Sequence, residues 1–235
     1  MKSTYIALCL VFFCIEIQNR EANIEKVTDS TLTLSTVIRR KEDKMYTIKT
    51  EIKPSNLIGI SDEQINDHWK LYEGYVKNVN QLDEDLKKLE VGTLIYADRR
   101  RRYGFEYNGM VLHEYYFSNL ISKAPQISSG PLKEALVKSW GSFENWKKDF
   151  IAAGKTRGIG WAILYCDPTT KRLTNNFVAL HQIGNIAGYK PILVMDVWEH
   201  AYMNDHNAGG RGKYIEAFFQ NINWPVVEKR FEEIK

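Results

Sequence analysis

Hydrophobic positions along this chain change their period partway, from the three-and-four spacing of helices to short continuous apolar runs. Ser61-Asp62-Glu63-Gln64 reads as a helix start, with Ser61 as N-cap and Gln64 in the capping-box position. Beyond it, Ile65, His68, Leu71, Tyr72, Tyr75, Val76 and Val79 share one stripe. A charged, solvated stretch is expected over 83–90, and a second helix from about Gly109 to Ser122. Pro125 and Ser128-Ser129-Gly130-Pro131 mark a break. From Pro131 to Ala153 the helical stripe returns through Leu132, Leu136, Trp140, Phe143, Trp146 and Phe150. Then Trp161–Tyr165, Phe177–Leu180 and Ile192–Met195 read as strands, with Asp167-Pro168-Thr169-Thr170 as a turn. Residues 214–230 are helix-like, with a start signal at Pro225. Ahead of everything, Tyr46–Thr50 is a short extended piece running into Pro54.

Helices first and then three strands among helices predict an α+β fold. The expected division is an N-terminal extension over 1–44, a helical domain over 45–130 and a C-terminal α/β domain over 131–235.

Composition narrows the function little. With 44% hydrophobic and 26% charged residues and a formal net charge of +3, nothing suggests a nucleic-acid or membrane partner. Cys9, Cys14 and Cys166 are odd in number and lack C-x-x-C spacing, which argues against a disulfide framework or a thiolate zinc site. The apolar run Ile6–Ile15 has the length of a signal-peptide core and is too short to span a bilayer. Glu16 to Glu21 offers no small-x-small cleavage site, and Phe12 and Phe13 oppose lipid anchoring at Cys14. Two readings follow: export through this segment, or a working protein that begins at Met45 and stays in the cytoplasm. The second suits Cys166, then the sole cysteine. It also suits Lys41-Glu42-Asp43-Lys44-Met45, which a purine-rich ribosome-binding sequence ahead of an ATG can encode.

The candidate chemistry lies in the histidines. In Asp196-Val197-Trp198-Glu199-His200, an aspartate leaving a strand and a histidine four residues on can address one point. Imidazole and carboxylate donors suit iron or manganese. The alternative is that Asp196 caps a helix and His200 is a hydrogen-bonded core residue. His113, set among Met110, Val111, Leu112, Tyr115, Tyr116 and Phe117, must be buried, paired or bound. His68 and Tyr75, seven residues apart, come within roughly 20° of a common helical face.

Asp196-Val197-Trp198-Glu199-His200-Ala201-Tyr202 resembles the signature of the iron/manganese superoxide dismutases. The likeness runs from about Ser61 to Phe231 and includes Tyr75-Val76, the His113 segment, Gly158-Ile159-Gly160-Trp161 and Asn223-Trp224-Pro225. It implies a helical hairpin domain followed by an α/β domain with a three-stranded antiparallel sheet. It further implies one iron or manganese per chain, bound by His68, His113, Asp196 and His200, and disproportionation of superoxide in antioxidant defence. Tyr75 matches the family's gateway tyrosine and Trp161 its site-walling tryptophan; Phe117 stands where a tryptophan is more usual. Glu199 matches a glutamate that reaches the partner's metal-bound histidine, which implies a homodimer or a dimer of dimers. The group that tunes the metal's solvent is absent at Gly109, so it is expected at His181, with Gln182 as the fallback. In two places the chain departs from the pattern. The first ligand normally stands eight before the gateway tyrosine, at Asp67 here, and the loss of one residue places His68 in register instead. A polar pair across the dimer is replaced by Leu71 and Met203. Two rival functions remain: a mononuclear iron oxygenase, for which two histidines and a carboxylate suffice, and an inactive dismutase-like structural protein. Arg99 to Arg102 are a candidate for drawing in an anionic substrate, or a solvated turn; His206 has no matched role.

Overall fold

The first long helix is set at its start by a side chain. In the computed structural model, which describes residues 45–127 and 129–234, Ser61 Oγ accepts from Gln64 N at 3.0 Å and opens α1, Asp62–Lys88. The readings made for residues 1–44 lie outside the described residues. Asp62 and Glu63 in the first turn and Lys87 and Lys88 in the last oppose the helix dipole. The charged, solvated stretch expected over 83–90 continues the helix as far as Lys88, with Glu84 facing Lys87 at 2.9 Å and Lys88 at 3.9 Å.

Thr93 caps α2, Leu94–Ser118, whose start lies well before the expected Gly109. Arg99 to Arg102 thus sit on a helix rather than in a turn. Helices α1 and α2 form a hairpin closed by Leu89–Thr93. The extended piece expected at Tyr46–Thr50 is a loop, and Thr50–Ile52 forms a single 3-10 turn.

The helix expected over 131–153 is two. Helix α3, Pro131–Trp140, ends at Gly141 with φ 80°, and Ser142 caps α4, Phe143–Gly154. Three antiparallel strands follow in the order β2-β1-β3: β1 Gly160–Cys166, β2 Leu173–Ala179 and β3 Lys190–Asp196. Strand β2 extends ahead of its apolar end because its polar positions find partners, as where Trp146 Nε1 donates to Asn175 Oδ1 at 3.1 Å. Strand β1 is buried throughout, and its register sets Trp161 opposite both Val178 and Asp196. The short α5, Met203–His206, leads to α6, Arg211–Gln220, and α7, Trp224–Glu232, with Pro225 in its first turn.

The hairpin is tied to the sheet by a buried amide. Asn119 Nδ2 donates to Val194 O at 2.6 Å, and Asn119 O accepts from Asn223 N at 2.6 Å. Arg230 Nη1 reaches Asn119 Oδ1 at 2.5 Å and Ile192 O at 3.0 Å. The described residues form one compact unit. Among the described residues, no helix is long and apolar enough to cross a membrane.

Replacing Asn119 by alanine strands the buried Val194 carbonyl and removes one partner of the partly buried Arg230 guanidinium, which keeps Ile192 O and Ser118 Oγ. The expected cost is about 2–4 kcal/mol, read as a lower urea midpoint with little change in metal content.

Candidate metal centre

Four side chains from three parts of the chain converge on one buried point. His68 comes from α1, His113 from α2, Asp196 from the end of β3 and His200 from the 3-10 turn Glu199–Ala201. One donor atom from each lies within 4.8 Å of every other. Asp196 Oδ1 accepts from Trp198 N at 2.8 Å, which turns Oδ2 toward the histidines. That oxygen lies 3.1 Å from His68 Nε2, 3.1 Å from His200 Nε2 and 3.8 Å from His113 Nε2.

The tautomer of His113 follows from its other nitrogen. Nδ1 lies 2.6 Å from the Gly109 carbonyl oxygen, which can only accept, so Nδ1 carries the proton. Nε2 is then a bare lone pair, buried and without a hydrogen-bond partner. Such an atom is costly unless something with positive charge meets it. Burial lowers the pKa of both His68 and His113 and keeps them neutral, as ligands must be. Burial alone would raise the Asp196 pKa, but the His200 and His68 imidazoles hold it well below the usual range. Neutral imidazoles around an ionised carboxylate fit iron or manganese.

Tyr75, Trp161 and His181 form the next layer. Trp161 Nε1–H donates to His181 Nδ1 at 3.0 Å, and His181 Nε2 lies 2.7 Å from the Tyr75 hydroxyl. An indole only donates, so Nδ1 accepts and the His181 proton sits on Nε2, pointing at Tyr75 Oη. Burial supports this neutral form by pulling the His181 pKa down to about 4. Burial, with Asp196 and Glu106 nearby, raises the Tyr75 pKa, so its hydroxyl keeps its proton. Gly109 makes room for the Tyr75 ring: a Cβ there would stand 2.6 Å from Tyr75 Cδ1.

The other sequence candidates sort plainly. Asp67 is exposed and accepts from Lys70 Nζ and Asn204 Nδ2, both at 2.9 Å, away from the cluster. Gln182 is exposed, whereas its neighbour His181 is buried. Phe117 is buried with its ring 5.0 Å from that of His68. His206 donates through Nε2 to Gly59 O at 2.8 Å and takes no part in the cluster. Glu199 is exposed beside His200, and Leu71 and Met203 also face outward.

Sequence reasoning missed Gln64 and Trp198. Gln64 does not complete the capping box; its Nε2 donates to His200 O at 2.6 Å and its Oε1 accepts from Asn204 N at 3.0 Å, which holds the loop that carries His200. Its place beside Ile65 on the buried stripe was the available signal. Trp198 stacks on His181 at 4.9 Å and on His200 at 5.5 Å.

Residues 128–230 match the family model described as iron/manganese superoxide dismutases, C-terminal domain. An iron superoxide dismutase from Aquifex aeolicus is 37% identical over 194 residues, covering 79% of this chain and 90% of that protein. A manganese/iron superoxide dismutase from Aeropyrum pernix is 36% identical over 171 residues, covering 71% of this chain and 79% of that protein. A manganese superoxide dismutase from Haloferax volcanii is 34% identical over 164 residues, covering 69% and 81%.

A pH dependence follows from the cluster. His68 and His113 have folded pKa values below their unfolded value of 6.5, so protons oppose the folded, metal-binding form progressively as pH falls below that value. Metal per chain after dialysis should be level at and above about pH 7 and fall only on the acid side of the ordinary histidine range. Loss centred above about pH 7 would contradict the two neutral imidazoles.

Proposed function

Since the chain belongs to the iron/manganese superoxide dismutase family, we infer that it disproportionates superoxide, taking two superoxide anions and two protons to dioxygen and hydrogen peroxide. The enzyme is an oxidoreductase acting on a small anion. The observation that carries this reading is the buried, unpaired Nε2 of His113, aimed with two more imidazoles at a buried carboxylate. An oxygenase needs only two of those imidazoles, and an inactive scaffold needs none.

One iron or manganese ion per chain, held by His68, His113, Asp196 and His200, supplies the one-electron redox couple. The chain's own residues do the rest. Asp196 contributes the negative charge that balances the cation. Trp161 holds His181 in its Nε2–H form, and that proton occupies one lone pair of the Tyr75 oxygen. The Tyr75 hydrogen is then free to be donated to an anion in the site. Trp161, Phe117 and Tyr116 are fully buried and pack their rings against His113 and His68.

The hairpin portion, 45–130, provides His68 and His113, and the portion 131–235 provides Asp196 and His200. We assign the working form as a homodimer, with the option of a dimer of dimers. Support comes from exposed Glu199, the partly exposed His200 ring, and the outward Leu71 and Met203. A buried Trp198 Nε1 without a hydrogen-bond partner lies in the same region. The free, buried thiol of Cys166 suits a reducing cytoplasm.

Metal analysis with a superoxide-consumption assay tests the reading: close to one iron or manganese per chain and turnover are expected. Metal without turnover would favour an oxygenase, and absence of metal a scaffold. His68→Ala should lose metal while Asp67→Ala keeps it; the reverse pattern would overturn the ligand assignment. His181→Ala should keep most metal yet lose roughly tenfold or more in turnover, and an equal loss from Gln182→Ala alone would shift the role to that neighbour.

A further inference from the structure

The four consecutive arginines of α2 are unevenly paired. Asp98 accepts from Arg99 at 3.2 Å and from Arg101 at 2.9 Å, and Arg99 also stands 3.6 Å from Asp85. Arg100 Nε donates to the Tyr96 hydroxyl at 3.0 Å. Arg102 pairs with Glu106 through Nε at 2.6 Å and Nη2 at 2.5 Å. Four guanidinium groups thus meet three carboxylates, which leaves one positive charge in excess.

The Arg102–Glu106 pair is unlike the others. Its acidic member is buried, with the Glu106 side chain 3% exposed, while the Arg102 side chain is 52% exposed. Asn78 Nδ2 donates to the second carboxylate oxygen at 3.1 Å, which fixes Glu106 inside the hairpin. The Arg102 guanidinium lies 4.1 Å above the Phe105 ring, and that ring meets His181 edge-on at 4.5 Å. Arg99, Arg101, Arg102, Phe105, Gln182 and Asp98 line a cavity of about 510 Å³, which borders His181 only through Phe105 and the adjoining Gln182. Both members of the pair act electrostatically on Tyr75, in opposite senses.

Resting on the superoxide reading, we propose that Arg102 steers the anionic substrate: it cancels the buried Glu106 carboxylate and presents a cationic face above Phe105 at the mouth of the path to Tyr75. Without Arg102, a carboxylate that cannot leave the hairpin would face every approaching anion. Without Glu106, the guanidinium charge would be uncompensated and would draw anions more strongly. The effect acts on encounter, so salt must weaken it, since screening lengths fall from about 30 Å at 0.01 M to about 8 Å at 0.15 M ionic strength.

The test is the second-order rate of superoxide consumption against ionic strength, normalised to metal content, for the parent, Arg102→Gln, Arg102→Lys, Glu106→Gln and the double variant. Arg102→Gln should lose roughly tenfold at low salt and much less at high salt. The double variant should recover most of the loss, and Arg102→Lys should keep both rate and salt slope. Arg102→Gln equal to the parent at every salt concentration, or a loss that Glu106→Gln does not relieve, would overturn the proposal. If Arg102→Gln holds no metal, Glu106→Gln alone decides: a low-salt rate above the parent supports the steering role, and a rate at or below it refutes it. A metal-loaded parent that consumes no superoxide would instead sink the functional reading.

Discussion

The carboxylate of Asp196 is the group around which the rest is arranged. A buried, ionised carboxylate is several kcal/mol out of balance unless each oxygen is met. Here the Trp198 amide meets Oδ1, and the three imidazoles crowd Oδ2. Burial disfavours the charged forms of two of them, His68 and His113, so these bring lone pairs rather than charge. A negative site ringed by uncharged donors is stable and useful only with a cation at its centre. The helical hairpin has to deliver His68 and His113 to the place where β3 ends, and much of the fold serves that delivery.

Holding that place requires contacts that are not themselves ligands. Asn119 ties the end of α2 to β3 and to the start of α7, and Arg230 braces the same joint. Gln64 fixes the backbone at His200 from α1. Arg211 donates to Thr156 O at 2.8 Å, Gly158 O at 2.7 Å and Val197 O at 2.8 Å, which clamps the entry to β1 against the exit from β3 at one end of that pair. Each of these side chains satisfies backbone groups that helix and sheet ladders leave open, a requirement that recurs wherever ordered loops are buried.

The layer next to the histidine and aspartate cluster shows how a donor-only group sets chemistry at a distance. Trp161 can offer only a proton, so it dictates which nitrogen of His181 is protonated and, through it, which way the Tyr75 hydroxyl can donate. The close approach of Tyr75 to α2 depends in turn on Gly109 having no side chain. Glu106 and Arg102 add opposed charges to the same surroundings.

Much of this was legible in the chain itself. The Ser61 cap, the buried stripe of α1 and the three strand runs follow from local periodicity and capping chemistry, which depend on neighbours only a few residues away. The Asp196-to-His200 motif and the family likeness pointed to the four side chains that cluster, and the His68-to-Tyr75 spacing favoured His68 over Asp67, which lies away from them. What local pattern did not reveal was where polar side chains end. The continuation of α1 through its charged stretch, the Gly141 break and the outward turn of Leu71 were decided by pairing and packing partners. Gln64 reads locally as a cap, yet its amide goes to His200, 136 positions away. Glu106 carries a charge, yet it is buried against Asn78. Local sequence determines which backbone hydrogen bonds can form; only the tertiary structure decides which side chains lose water, and therefore which must find a partner across the fold.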